Sequence, residues 1–138
     1  MPARGLYHDA LKNALVKDGW TVTHDPLRLT WGPKDMYVDF GAEELLTAET
    51  AGRKIAVELK SFVGTSEIND VERALGQYCL YRSVLARKEP DRTLYVAIPE
   101  EVFHEEFQEP LGFLLREEYR IPLIDFDPQQ EVLLQWIP

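Results

Sequence analysis

The chain has a single cysteine, Cys79, so an intrachain disulfide and a cysteine-based zinc cluster are both ruled out. That shortage fits a reducing compartment, and a cytoplasmic location is expected. Long apolar runs are missing as well. Nothing approaches the roughly 18–20 consecutive apolar residues of a membrane span, and residues 1–20 lack the apolar core of a signal peptide. No membrane partner is expected. Positive charge is scarce: 15 Lys and Arg stand against 24 Asp and Glu, for a net charge of −9. Proteins that grip nucleic acid by its phosphates normally carry a basic face, because that electrostatic term dominates non-specific affinity. Only a local basic patch is available here. Any nucleic-acid contact is therefore confined to a site, helped by a metal, or lent by a partner. Repeats, low-complexity tracts and linkers are absent too. With 45% hydrophobic residues and three Trp, residues 1–138 read as a single domain with a core of its own.

What is present is periodicity. Leu6, Ala10, Leu11, Ala14 and Leu15 follow helical spacing, with Gly19 as a stop. Short strands are expected from Trp20 to Thr30 about the turn His24-Asp25-Pro26, and Trp31 to Asp35 carries turn residues. Met36 to Phe40 alternates with period two. A second run, Glu44 to Thr50, leads through Ala51-Gly52 into Arg53 to Lys60, the pattern of a β-meander. Ile68, Val71, Leu75, Tyr78 and Cys79 form the apolar stripe of a long helix, capped by Ser66 and Asn69 and closed by Pro90. Thr93 to Ile98 is a continuous apolar strand of the kind buried on both faces. Residues 100–118 mix acids with Val102, Phe103, Phe107, Leu111, Leu114 and Leu115, as in one or two amphipathic surface helices. Ile121 to Phe126 and Glu131 to Ile137 form a hairpin about Asp127-Pro128-Gln129-Gln130. The expected fold class is α/β (α+β), a mixed central β-sheet flanked by helices.

One strand carries unusual chemistry. In Lys54-Ile55-Ala56-Val57-Glu58-Leu59-Lys60-Ser61, alternation puts Ile55, Val57 and Leu59 on one face and Ala56, Glu58 and Lys60 on the other. A lone E-x-K of this kind is commonly a solvated pair worth about 0–1 kcal/mol. Asp39 lies upstream in Tyr37-Val38-Asp39-Phe40, on the polar side of its own run, and 18 residues separate it from Glu58. That distance allows a strand, a turn and a return, so neighbouring strands can bring the two acids together. Two carboxylates sharing a site repel each other unless a divalent cation such as Mg²⁺ sits between them or one is protonated. A nearby lysine can then position a water or neutralise a phosphate. On the following helix Arg73, Gln77 and Tyr81 recur every four residues on one face, where they can line the same cleft.

Asp39, Glu58-x-Lys60 and Gln77-x-x-x-Tyr81 together resemble the PD-(D/E)xK nuclease superfamily, although the usual Pro before the first acid is Val38 here. The chain also resembles the XisH family, the fdxN element excision controlling factor proteins. The resemblance is carried over residues 6–99 by "ALVKDGWTVTHDPLRL", "VDFGAEELLTAETAGRKIAVELKSFVG", "SEINDVERALGQYCLYR" and "EPDRTLYVAIP". It implies a restriction-endonuclease-like core, a cyanobacterial source, excision of a DNA element by a site-specific recombinase, and a partner resembling XisI. Carried over residue by residue, it implies that Asp39 and Glu58 hold Mg²⁺ or Mn²⁺ and that Lys60 assists the attacking water. Gln77 and Tyr81 then shape the site, and Arg53, Lys54, Arg73 and Arg82 offer positive charge for phosphates. The alternative is a non-catalytic regulatory subunit that binds the XisI-like protein and directs the recombinase, which the net charge of −9 favours. DNA or RNA as substrate, and a homo-oligomer or a monomer, stay open.

Other residues read more plainly. The superfamily resemblance implies an acid on the first helix reaching the metal, and Asp9, beside His8, is the second-shell candidate; an acid there also suits the helix dipole. His24 and His104 are expected to be exposed. Asp125, Asp127 and Glu131 lack the spacing of a calcium loop and fit a turn flanked by strands. Cys79 belongs to the core stripe. The acids from Glu100 to Glu118 suit a solvated helical face or a partner-docking surface and are unfit for contact with DNA.

Overall fold

The computed structural model describes residues 7–44, 52–62, 67–107 and 109–138. Helix α1, His8–Lys17, buries Leu11, Ala14 and Leu15 at helical spacing. It stops where Gly19 takes a φ of 95°, a left-handed conformation that costs glycine nothing. Strands β1 (Trp20–His24), β2 (Leu27–Trp31), β3 (Lys34–Val38), β4 (Phe40–Glu44) and β5 (Arg53–Leu59) follow. Helix α2, Glu67–Lys88, then crosses to β6 (Arg92–Pro99). A short helix α3 (Glu100–Val102), a π-helical turn (Phe103–Phe107) and helix α4 (Pro110–Tyr119) lead to β7 (Leu123–Asp127) and β8 (Val132–Ile137).

Six strands form one mixed sheet in the order β1-β4-β5-β6-β7-β8, while β2 and β3 make a separate hairpin. β5, β6 and β7 run parallel and the outer pairs antiparallel. The expected mixed sheet with helices on its faces is what the chain builds. Burial splits into two cores. Leu11 and Leu15 of α1 pack with Trp20, Phe40, Ile55, Val57, Tyr95, Ile124 and Phe126 on one face. On the other, Tyr78, Tyr81, Val84 and Leu85 of α2 pack with the β2–β3 hairpin, Ala56, Leu94, Val96, Ile98, Phe103 and Leu115. Each fully buried Leu, Ile, Val or Phe among them contributes roughly 1.5–3 kcal/mol. β6 is apolar on both sides because it lies between the two cores, as its continuous run predicts.

Several expectations are corrected. Met36 to Phe40 is not one strand, because β3 ends at Val38 and β4 begins at Phe40. Val38 lies in the α2-side core and Phe40 in the α1-side core, so the chain changes sheets at Asp39. Ile68 lies outside the α2 stripe and is exposed, and on α4 Leu111 and Leu114 are exposed while Gly112 and Leu115 are buried. Both helices cover the sheet with a narrower face than their apolar content suggests. The run Glu44 to Thr50 lies outside the described residues apart from Glu44, which ends β4, and Ser66 lies outside them too.

Candidate active site

Period two in β5 decides which way the charged residues point. Ile55 and Val57 enter the α1-side core and Ala56 the α2-side core, so Glu58 projects toward α2. Asp39 occupies the step between β3 and β4, where neither strand's ladder uses its backbone. Its N–H donates to Glu58 Oε1 at 3.1 Å, and the Leu59 N–H donates to Asp39 Oδ2 at 2.8 Å. Each acid is thus clamped by the backbone at the other's position, and the two carboxylates are held face to face. Beyond the end of β5, the Lys60 N–H bonds Ala97 O at 2.9 Å, which fixes where the lysine leaves the sheet. Lys60 Nζ lies 3.4 Å from Glu58 Oε2 and donates a hydrogen bond to Gln77 Oε1 of α2.

The electrostatics follow from burial. Glu58 is only 9% exposed. Its carboxyl is pushed up to about 7, first by burial and then by the Asp39 charge, with Lys60 pulling the other way. An exposed E-x-K pair would show none of this. Tyr81 closes the cleft from α2, and its hydroxyl is raised by burial and then by the charges of Glu58 and Asp39, so it stays protonated. Asp39, Glu58, Lys60, Gln77 and Tyr81 therefore meet in one cleft.

Other expected residues are placed elsewhere. Arg53 lies five residues before Glu58, roughly 17 Å along the strand, and on the opposite face. There its guanidinium sits over Trp20 and Trp136, at 5.3 and 5.6 Å from the ring centres, and donates to the Tyr95 hydroxyl. Lys54 is four residues away and paired with Glu43 and Asp91 at 3.7 and 3.5 Å. Strand length separates both from the acids. Arg73 is exposed one helical turn before Gln77, while Arg82 stacks over Tyr78 at 5.2 Å. Asp9 is exposed on α1, which covers the sheet face opposite Glu58, so it is not a second-shell group of this cleft.

It is His8 that turns inward. Its Nε2 lies 2.8 Å from Asp25 Oδ1 and its ring packs on Phe40 at 4.4 Å. Lys12 Nζ donates to the other Asp25 oxygen at 3.0 Å, and together these hold the Asp25 carboxyl below its usual range against the opposing effect of burial. Asp25 stands in the β1–β2 connection, beside the β3–β4 step that holds Asp39. The cluster ties α1 to that step. Local sequence offered only turn chemistry for Asp25-Pro26. Asp125 was also missed. It lies within β7 before the turn, is 2% exposed, and accepts one bond from Gln135 Nε2 at 3.0 Å. Its other oxygen has no hydrogen-bond partner among the described residues, and burial raises its carboxyl. An acid inside the apolar run Leu123-Ile124-Asp125-Phe126 was the available signal. Asp127, by contrast, accepts from the Gln129 and Gln130 N–H groups and does build the turn.

The cleft fits a divalent cation of the Mg²⁺ type. Two carboxylates are held together with Lys60 as their neighbouring cation, and the Glu58 carboxyl is raised by burial first and by the Asp39 charge second. Among the described residues no group of three or more His, Cys, Asp or Glu side chains is placed to hold a metal. Sites for Mg²⁺ typically use one or two carboxylates, the number that Asp39 and Glu58 supply, and complete the shell with water and phosphate.

Fold and cleft define an α+β protein whose polar site lies at the carboxyl end of a parallel strand, where open sheets commonly take their ligands. The chain belongs to the XisH family, whose model, described as XisH protein, matches residues 1–134. It is similar to the crystal structure of an XisH family protein from Nostoc punctiforme, with 37% identity and a TM-score of 0.88 over 97% of this chain and 100% of that one. It is also similar to an fdxN element excision controlling factor protein from Anabaena variabilis, with 38% identity and a TM-score of 0.86 over 98% and 100% of the two chains. Comparison with curated proteins finds no match. Among the described residues no helix is long and apolar enough to cross a membrane.

Proposed function

We propose that this protein is an accessory factor in DNA-element excision that carries a metal-dependent phosphodiester-cleaving site of the PD-(D/E)xK kind at Asp39, Glu58 and Lys60. The observation that carries the reading is the reciprocal backbone clamp of Asp39 and Glu58, which holds two carboxylates together in one buried cleft. There burial first and the Asp39 charge second push the Glu58 carboxyl up to about 7. A scaffold gains nothing from such repulsion. In this reading Asp39 and Glu58 hold Mg²⁺ or Mn²⁺, which when bound supplies charge stabilisation at a phosphate oxygen. Lys60 has three N–H donors. Two are directed to Glu58 and Gln77, leaving one to orient a water or a phosphate oxygen. Tyr81 keeps its proton and serves as a neutral donor at the cleft wall. The role in excision rests on membership of the family and on the name of the Anabaena variabilis protein.

Incubating supercoiled plasmid and single-stranded DNA with Mn²⁺ tests the reading. Wild type is expected to nick or linearise, with the products lost in Lys60→Ala. Absence of cutting in wild type, with or without a partner protein, would remove the catalytic role. One observation favours the second reading, a regulatory subunit that docks a XisI-like partner. Helix α4 exposes Leu111, Phe113 and Leu114 beside Glu109, Glu117 and Glu118. The paired substitutions Leu111→Asp and Leu114→Asp lie outside both cores and are expected to abolish co-purification with that partner without unfolding; retained binding would exclude this surface.

A further inference from the structure

A second feature of α2 is unused by the cleft. Arg73, Gln77, Leu80, Val84 and Arg87 are spaced by four and three residues, so they share one edge of the helix over roughly 21 Å. Gln77, in the middle, is the residue bonded to Lys60. Toward the carboxyl end the edge opens into a groove of about 290 Å³ lined by Trp31, Leu80, Ser83, Val84 and Arg87, with no carboxylate among them. Trp31, at the end of β2, is 48% exposed, and Arg87 and Lys88 lie over its ring at 6.0 and 5.8 Å. Leu80 is 52% exposed.

Charge makes this edge exceptional. The chain is at −9, yet the stretch from Gln77 to Lys88 contains Arg82, Arg87 and Lys88 and no acid. Globular surfaces seldom leave a large aromatic and a leucine exposed side by side without a use. An aromatic face flanked by cations, continuous with a phosphate-handling cleft, matches the requirements of a single strand: cations for the backbone and a ring on which an unpaired base can stack.

The geometry points to the α2 edge from Gln77 to Lys88, with Trp31, as a binding track for single-stranded nucleic acid, Arg87 and Lys88 taking phosphates and Trp31 stacking a base. The assignment of a strand rather than another polyanion rests on the proposed phosphodiester site; the track itself rests on the groove and its charge. It also resolves how so acidic a protein could hold nucleic acid. The acids of residues 100–118 lie on other elements, and only this strip need be basic.

The test is fluorescence anisotropy with a labelled oligothymidylate in EDTA, so that no cleavage occurs, at 50 to 300 mM salt. Wild type is expected to bind with an affinity that falls steeply with salt. Trp31→Ala should weaken it roughly 5- to 100-fold, the size of one lost base stack. Each of Arg87→Ala and Lys88→Ala should flatten the logarithmic salt slope by about 0.7. Arg116→Ala, which removes a cation from α4, should leave binding unchanged. No binding at 50 mM salt, or Trp31→Ala, Arg87→Ala and Lys88→Ala proteins that bind like wild type, would overturn the track. So would polyglutamate competing as well as the oligonucleotide, which would assign the strip to an acidic protein. Because binding is read without metal, loss of the nuclease reading in the plasmid assay leaves this result intact, and the reverse also holds.

Discussion

Glu58 should cost the protein stability whenever it is ionised without a cation, and Glu58→Gln measures that cost. Raising its carboxyl from 4.5 to about 7 corresponds to about 3 kcal/mol at ~1.4 kcal/mol per pH unit. The sign follows from proton binding. The folded state holds this proton more tightly than the unfolded chain, so the contribution is complete below about pH 4.5, declines as pH rises and is gone above about 7. Glutamine keeps an acceptor for the Asp39 N–H but turns an amide toward Lys60, which removes the ion pair at 3.4 Å. The net gain at pH 8.5 in EDTA should be about 2 kcal/mol, or a rise in Tm of roughly 6–8 °C for a chain of this size. At pH 5 the two proteins should melt within a degree or two of each other. Mn²⁺ should stabilise the wild type by about 2.7 kcal/mol at a hundred times its dissociation constant, raising its Tm, and leave the variant unmoved. Differential scanning fluorimetry at the two pH values, with and without Mn²⁺, reads all four states. A variant no more stable than wild type at pH 8.5 would refute the buried-charge argument, and a variant that still responds to Mn²⁺ would refute Glu58 as a ligand.

Three further outcomes are expected. His8→Ala removes a buried partner of Asp25 and a ring packed on Phe40, and should destabilise by about 1–3 kcal/mol in urea titration; an unchanged midpoint would show that the cluster does not hold the β3–β4 step. Asp125→Asn keeps an acceptor for Gln135 and removes a carboxyl whose burial raises it, so the stability gain should appear as pH rises and vanish in acid; a gain largest in acid would reverse the assigned sign. Leu85→Ala, at the centre of the α2-side core, should cost about 2–5 kcal/mol by the same titration, and a loss under 1 kcal/mol would show that α2 packs loosely.

Much of the cleft was legible in advance, because the relevant signals are local. Period two in Arg53 to Lys60 placed Glu58 on the face opposite Ile55 and Val57, and helical spacing put Gln77 and Tyr81 on a common side. The same locality explains the failures. Arg53 and Lys54 are close to Glu58 in sequence, but an extended strand rises about 3.3 Å per residue and carries them away from it. His8 and Asp25, 17 residues apart, meet only because α1 folds back across the sheet. Spacing also could not tell which apolar residues of α4 would find a surface to cover.

By itself the sequence determined the first helix, the long helix α2, the phase of β5, the double burial of β6 and the terminal hairpin, since each depends on neighbours within one turn or one strand. Only the tertiary structure decided that the chain changes sheets at Asp39. Val38 and Phe40 are two residues apart and alternation would keep them on one face, yet they enter opposite cores. That step leaves the Asp39 N–H and carboxylate outside the strand ladders, where they can clamp Glu58. A long-range competition between two sheets for adjacent residues makes the site, and no local pattern records its result.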